Sequence, residues 1–502
     1  MSILPTEFAS LFIHCFGQDA WTNYLEQFSE PPAKGMRISP LKGATPPLIN
    51  PFLTDPVPWT KDREGFYIHH NLHLGRDPLH ATGCYYLQEP SAMAPVPVLD
   101  PKPGERVLDL CAAPGGKTTQ IAQRMNNKGV LVANEPNRER CTILAENLER
   151  LGVTNATITQ LDPDELCETY PAYFDAILVD APCSGEGMFR KDEDARRMWQ
   201  RELLATYATR QISILRAALA MLRPGGRLVY STCTLNPIEN EAVCATMLRD
   251  HSTLSLAPVF LPEGRAGLTT KDFIKLGKHI PELQEIASTF IEPLPKLEHT
   301  MRIMPNAGRA EGHFVAKFNY DGNTSIKSDA VHTRNSFPSF EKKQRSFAKK
   351  HEKTLTTDQK CQFEKFAKET FTDPSAWLDD LLMRDFISTS NVLFVTTLRP
   401  IPTRNVLRPG FPLLETKHHH ATPHHALALA TKPENLRAPV CLSYGDARII
   451  AYLRGEMISH AGPDGWTVVF LDNLPLGWAK RVQNQLKNHY PKGLRRSYSF
   501  EI

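Results

Sequence analysis

Cys183 and Cys233 each follow an apolar, strand-like run. The first closes Ala176-Ile177-Leu178-Val179-Asp180-Ala181-Pro182 and the second closes Arg227-Leu228-Val229-Tyr230-Ser231-Thr232. In open α/β sheets the ligand crevice lies beyond the carboxyl ends of the strands. Two thiols delivered there from separate strands can meet over one substrate, and an activated thiolate is a strong nucleophile. Upstream, a third strand-like run ends in the turn Cys111-Ala112-Ala113-Pro114-Gly115-Gly116-Lys117-Thr118. The pattern points to a cofactor-dependent enzyme with cysteine chemistry.

Gly115-Gly116 lets the backbone approach a ligand closely, and a following helix amino end favours negative charge. A glycine pair alone is often only a turn, but acids end the neighbouring runs: Glu135, at a spacing where an acid binds ribose hydroxyls, then Asp162 and Asp180. Gly116-Lys117-Thr118 resembles the end of a P-loop. The first glycine of that motif would fall at Cys111, and Pro114 removes a backbone donor, so a nucleotide triphosphatase is rejected. Cys183 sits among Pro182, Ser184, Gly185 and Gly187, in loop chemistry. Cys233 precedes Asn236-Pro237-Ile238-Glu239-Asn240-Glu241, where Pro237 marks an expected helix start whose amino end would lower the thiol's pKa. Cys111, Cys141, Cys167 and Cys244 read as small buried residues.

Around these residues the chain alternates strands and helices from Arg106 to about Phe318. Expected strands are 107–110, 130–134, 156–161, 174–179 and 227–230. Expected helices are 118–125, 137–151 and 203–222, the last ended by Pro224-Gly225-Gly226. This implies βαβ units and a largely parallel sheet. Before it, residues 4–28 suit one amphipathic helix or a helical pair, followed by proline-rich loops. After it come a basic stretch, a helix over 363–382, a strand over 391–396 and a mixed tail. The chain has 502 residues, 41% hydrophobic and 23% charged, with a net charge of +3. These are globular values for roughly three domains. Ten scattered cysteines without a CxxC pair fit reduced thiols rather than disulfides or zinc. With no signal peptide and no apolar run of membrane length, a soluble cytoplasmic protein is expected.

The tail interleaves cations with rings: Trp478, Lys480 and Arg481, then Lys487, His489, Tyr490, Lys492 and Arg495. Such a pattern suits phosphate contacts plus base stacking. The histidines at 418–420, 424 and 425 lack a Cys or carboxylate at ligand spacing, so they read as a surface loop and no metal is expected.

The turn 111–118, Asp180-Ala181-Pro182-Cys183-Ser184-Gly185-Glu186-Gly187-Met188-Phe189-Arg190-Lys191 and Ser231-Thr232-Cys233-Thr234-Leu235-Asn236-Pro237 together resemble the Nop/Sun family of RNA cytosine-5 methyltransferases. The Glu-Gly-Met-Phe-Arg-Lys stretch and the tail 486–493 resemble most its bacterial ribosomal small-subunit methyltransferase F group. The resemblance implies an α/β, Rossmann-like S-adenosylmethionine-dependent methyltransferase domain over 101–320. It implies a small α+β N-terminal RNA-positioning region over 1–100, a basic linker over 321–355, a small α+β domain over 356–425 and a PUA-like RNA-binding domain over 426–502. It further implies that Cys111, Ala112, Ala113, Pro114, Gly115, Gly116 and Lys117 hold the cofactor's methionine part, Glu135 its ribose and Asp162 its adenine, with Asp180 beside both sulfonium and base. Cys233 would be the nucleophile and Cys183 would assist product release. Arg302, Pro305, Glu311, Gly312 and Phe314 resemble the hairpin closing the family's catalytic domain, where His313 replaces the usual aromatic.

On that basis Cys233 is expected to attack carbon 6 of cytosine and Asp180 to donate a proton toward ring nitrogen 3. Ribosomal RNA, most simply 16S, or the small subunit is the expected partner of a monomer. Arg37, Lys42, Trp478, Lys480, Arg481, Lys487, Lys492 and Arg495 are expected to contact RNA. The rivals are a DNA cytosine-5 methyltransferase that attacks with Cys183, and a non-catalytic RNA-binding assembly factor.

Overall fold

The computed structural model describes residues 4–43, 47–61, 64–290, 296–306, 309–322, 357–374, 384–389, 391–399, 401, 404–417 and 420–501. Nearly all of the expected basic linker lies outside the described residues. So does the latter part of the helix expected over 363–382, which is described only as Thr357–Thr370 and a short continuation.

Five strands form the parallel part of the central sheet: β1 (Arg106–Asp109), β2 (Val130–Asn134), β3 (Ala156–Thr159), β4 (Phe174–Asp180) and β5 (Leu222–Thr232). The helices α1 (Gly116–Arg124), α2 (Arg138–Arg150), α3 (Pro163–Thr169) and α4 (Leu204–Met221) connect them, and α5 (Glu241–Asp250) follows β5. Two further strands, β6 (Met301–Ile303) and β7 (His313–Tyr320), form an antiparallel hairpin, with β7 against β5. The order is β3-β2-β1-β4-β5-β7-β6, so the winding reverses between β1 and β4. Ligand crevices form at such a reversal.

Alternation along the strands builds this sheet. Val107, Leu131, Leu178 and Val229 enter one hydrophobic cluster, while their neighbours Leu108, Val132, Ile177 and Leu228 enter the other. Both faces are therefore buried, as a parallel sheet flanked by helices requires. Local signals set the helix starts. Asn137 accepts from Arg140 N at the start of α2, and Asp162 and Glu165 form a reciprocal capping box on α3. Two expectations differ. The segment Pro224-Gly225-Gly226 lies within β5 instead of separating helix from strand. The helix expected at Pro237 begins at Glu241, because residues 237–240 form a turn tied by Asn240, which accepts from Thr232 Oγ1.

Residues Thr6–Phe16 and Gln18–Glu26 form two helices broken at Gly17, whose φ of 92° suits glycine. They pack on the central α/β domain through Phe8, whose ring centroid lies 5.0 Å from that of Phe189. A four-stranded antiparallel sheet follows, ordered 53–56, 65–68, 35–38, 85–88. The C-terminal part holds a four-stranded and a five-stranded sheet. It also lends Val406–Arg408 to the edge of β3, antiparallel. Met36, Leu79 and Tyr85 share a core with Val440, Tyr452 and Leu486, so the two ends of the chain pack together. Among the described residues no helix is long and apolar enough to cross a membrane.

Two buried bidentate ion pairs fasten the hairpin. Arg302 on β6 donates to both oxygens of Glu241, the first residue of α5, at 3.0 and 2.8 Å. Arg190 donates to both oxygens of Glu311 at 2.7 and 2.8 Å. Removing one member of a buried pair strands the other charge and costs about 3–5 kcal/mol. Arg302→Ala is expected to lose stability of that order in urea unfolding, and a loss below about 1 kcal/mol would show that the pair does not hold the hairpin.

Candidate active site

β4 and β5 run parallel, and beyond the last ladder pair Ala181 N still donates to Ser231 O at 2.9 Å. From the last ladder pair, Asp180 with Ser231, the chain runs three residues to Cys183 and two to Cys233, and the loops bring Cys183 Sγ and Cys233 Sγ to 3.4 Å. Ser184 Oγ and Thr234 Oγ1, one residue on, are 2.8 Å apart. Gly187 N donates to Cys233 O at 2.8 Å. A Cβ on Gly187 would stand 2.7 Å from Gly312 O and 2.8 Å from Cys233 O, so only glycine lets the chain pass there.

Beneath the thiols lies a buried polar lattice. Glu239 accepts from Ser184 N (3.0 Å), Gln211 Nε2 (2.9 Å) and Asn236 Nδ2 (2.8 Å). Glu186 accepts from Leu235 N, Asn236 N, Asn236 Nδ2 and Trp199 Nε1. Burial, and then the neighbouring Glu186, push the Glu239 carboxyl up to about 7. Burial raises Glu186 as well. This lattice, not a helix amino end, sets the loops that carry the two cysteines. The hydrogen bond with Cys233 and burial push the Cys183 thiol well up, so Cys183 keeps its proton.

Asp180, at the end of β4, accepts from Lys117 Nζ at 2.7 Å on one oxygen and from Ser231 Oγ at 2.7 Å on the other. His313 Nε2 stands 3.4 Å from that second oxygen. Burial alone would raise this carboxyl, but the Lys117 ammonium and His313 outweigh it and hold Asp180 well below the usual range. The proton-donor role expected of Asp180 is therefore corrected: the group is a carboxylate and accepts hydrogen bonds. Burial would lower Lys117, but the Asp180 carboxylate outweighs it, so Lys117 keeps its proton firmly. Its position in the glycine turn concealed that it reaches Asp180 at the end of β4. Burial and Lys117 hold His313 below the usual histidine range.

The turn itself is tight and braced from α2. Gly115 has φ of 109°, open to glycine. Arg140 Nη2 donates to Ala113 O and Asn147 Nδ2 to Pro114 O, which fixes the turn against α2. Ala112 N donates to Asn134 O; Cys111 is half-buried, with its thiol raised by burial. Glu135 follows β2, buried beside Arg140 at 3.2 Å. Asp162 is exposed at the cap of α3. Asp109, which the sequence reading passed over as part of a strand, is wholly buried. It accepts from Thr118 Oγ1 at 2.7 Å, while its other oxygen has no hydrogen-bond partner. Burial pushes Asp109 up to about 7. An orphaned acidic oxygen beside a glycine turn, with carboxylates at 135 and 180, fits a cationic, ribose-bearing cofactor such as S-adenosylmethionine.

Four of the expected RNA contacts are corrected. Arg37 is fully buried and donates to Gln123, Gln88, Gly116 O and Thr119, bracing α1 from behind; burial lowers it to about 10. Lys42 donates to Leu429 O, and burial lowers it to about 7. Trp478 is a core residue whose Nε1 donates to His424 O. Arg481 is buried and donates to Pro463 O. Lys480, Lys487 and Lys492 are exposed, and Arg495 is half-buried with a hydrogen bond to Tyr490 O. His424 and His425 are not in a surface loop: they start the helix His425–Leu429, and burial lowers them to about 4 and about 3.

The reversed strand order and the glycine turn at the end of β1 define a Rossmann-like α/β domain of the methyltransferase class. The family model for 16S rRNA methyltransferase RsmB/F matches residues 96–319, that for the N-terminal domain of 16S rRNA methyltransferase RsmF residues 4–90, and that for the methyltransferase RsmF PUA domain residues 440–496. The chain belongs to this RsmB/F family. Ribosomal RNA small subunit methyltransferase F of Salmonella paratyphi B is 39% identical over 311 residues, 59% of this chain. That of Salmonella heidelberg is 38% identical over the same length. The match spans 63% of the length of these curated relatives. The crystal structure of a methyltransferase homolog from Pyrococcus horikoshii superposes with a TM-score of 0.51 and 31% identity, covering 63% of this chain and 95% of that one.

Asp109 gives a pH signature. Folded, it holds its proton to about 7; unfolded, it loses it near the ordinary aspartate value of 3.8. The unfolded state binds fewer protons in between, so this group's contribution to stability falls as pH rises through that window and is constant above it. Asp109→Asn removes the term. The urea midpoint of the variant is expected to gain on the parent between those pH values, and a pH-independent difference would refute the buried, protonated carboxyl.

Proposed function

We propose that the chain methylates carbon 5 of a cytosine in ribosomal RNA, most simply 16S, with S-adenosylmethionine as donor and Cys233 as nucleophile. The observation that carries this reading is the pair of thiols 3.4 Å apart, of which Cys183 is held protonated. A thiol that keeps its proton is a poor attacker, and the resemblance of the Thr232-Cys233 thiol to the family's nucleophile supports Cys233 as the attacking group. The family description, with its 16S rRNA methyltransferase and PUA models, supports the RNA substrate and the small subunit as partner.

Carbon 5 of cytosine is a weak nucleophile. Addition of the Cys233 thiolate to carbon 6 breaks the ring's conjugation and makes carbon 5 enamine-like. Asp180, a carboxylate, accepts from the exocyclic amine. Lys117, which keeps its proton 2.7 Å from Asp180, donates toward ring nitrogen 3 as charge develops there. The bound cofactor supplies an electrophilic methyl group on its sulfonium, which carbon 5 takes. A water held beside Cys183 then removes the carbon-5 proton. The electrons of that C–H bond restore the 5,6 double bond and expel Cys233 as thiolate, and the Cys183 S–H stabilises the departing sulfur. The base must leave its stack to reach these groups, so a single-stranded or opened RNA segment is required.

The test uses labelled methyl donor and RNA. Cys233→Ala is expected to abolish incorporation. Cys183→Ala is expected to accumulate a protein–RNA adduct that survives a denaturing gel. An adduct in Cys233→Ala and none in Cys183→Ala would reverse the two roles, and incorporation into DNA but not RNA would overturn the substrate.

A further inference from the structure

Away from the thiols, a cavity of about 530 Å³ opens on the N-terminal sheet. That volume lies within the range of small-ligand sites. Its floor is apolar, from Ile68, Leu72 and Leu87, and its rim carries Lys34, Arg76 and Lys191, all exposed. None of these three cations is ion-paired among the described residues; Lys34 Nζ instead donates to His70 O at 2.6 Å. Unneutralised cations around an apolar floor match a ligand with an anionic group and a flat apolar face.

The cavity is joined to the reacting centre by short covalent and hydrogen-bonded steps. Its wall residues Ala33 and Glu89 both bond Glu311: Ala33 N donates to Glu311 Oε1 at 2.8 Å, and Glu311 N donates to Glu89 Oε1 at 3.1 Å. Two residues later His313 faces Asp180. Lys191 follows Arg190, the partner of Glu311, on the segment that begins at Cys183. On the other side, the amide of Gln88, also in the wall, lies 3.4 Å from where a Cβ on Gly116 of the cofactor turn would stand.

We propose that this cavity binds a nucleotide of the substrate RNA flanking the target cytosine, with its base on the Ile68–Leu72–Leu87 floor and its phosphate toward Arg76, Lys191 and Lys34. The inference rests on the RNA substrate proposed above and adds a subsite to it. Stacking on an apolar floor is sequence-tolerant, and the phosphate contacts are ionic. The site thus grips the strand while leaving the choice of the reacting base to the crevice.

Fluorescein-labelled single-stranded oligocytidylate is the probe, with anisotropy read across a salt series on the full chain. The Arg76→Glu/Lys191→Glu double variant is expected to bind at least tenfold more weakly. Loss of two phosphate contacts should make the salt slope shallower by about 1.4. Arg76→Lys/Lys191→Arg should restore binding. Lys275→Glu, an exposed reversal on the helix Thr270–Gly277, should change affinity less than twofold. A double variant with parental melting temperature that binds as tightly as the parent, or no more weakly than Lys275→Glu, overturns the subsite. If the parent methylates RNA and the double variant keeps its affinity, the subsite alone falls. If the parent methylates no RNA while the double variant still loses affinity, the methylation falls and the subsite stands.

Discussion

The bidentate pair between Arg190 and Glu311 ties together three stretches that are far apart in the chain. Both side chains are almost wholly excluded from water, at 4% and 1% exposure. Two charges taken out of water depend on each other, because neither can be solvated if the partner leaves. Arg190 belongs to the segment that begins at Cys183, and its Nη1 also donates to Gln27 O in the N-terminal helical region. Glu311 lies two residues before β7, which carries His313 to Asp180, and it also receives Ala33 N. A single ionic contact thus sets the N-terminal region, the thiol loop and the closing hairpin relative to one another.

Within that frame, burial gives neighbouring carboxyl groups opposite protonation. Asp109 and Glu239 face burial without a cation close enough to offset it, and both rise to about 7. Asp180 is half-buried and has Lys117 at 2.7 Å, and it falls. One crevice therefore holds a fixed negative group, a fixed positive group and a protonated thiol side by side. A reaction that builds charge on a ring nitrogen and then expels a sulfur needs such a set, already oriented, so that little reorganisation accompanies the chemistry.

The flanking regions use their cations inward as much as outward. Arg37 and Arg481 each spend their guanidinium on carbonyls and side-chain oxygens of the interior. Lys42 spans to Leu429 near the chain's other end. Tyr444 OH donates to Asp77 at 2.6 Å across the same contact. These bonds join the N-terminal sheet to the C-terminal region and to the back of the cofactor turn. Among the described residues, Lys480, Lys487 and Lys492 and the cations at the rim of the N-terminal cavity stay exposed.

The amino-acid sequence by itself determined the parallel sheet, the glycine turn and the meeting of the two cysteines. Each is encoded locally: alternating aliphatics bury both faces of a strand, Gly115 allows the left-handed turn, and loops leaving the carboxyl ends of adjacent parallel strands bring their side chains together. Helix starts with side-chain caps were legible for the same reason, as at Asn137. Residues whose behaviour depends on distant neighbours were not. A run of cations and aromatic rings in the tail looks alike whether it faces water or the core, and only packing decided that Trp478 and Arg481 are interior. The ionisation of Asp180 was invisible because it is set by Lys117, 63 positions upstream, and by His313 on the returning hairpin. Local pattern sets which elements form; protonation and exposure are properties of the surroundings, and those exist only once the chain has closed on itself.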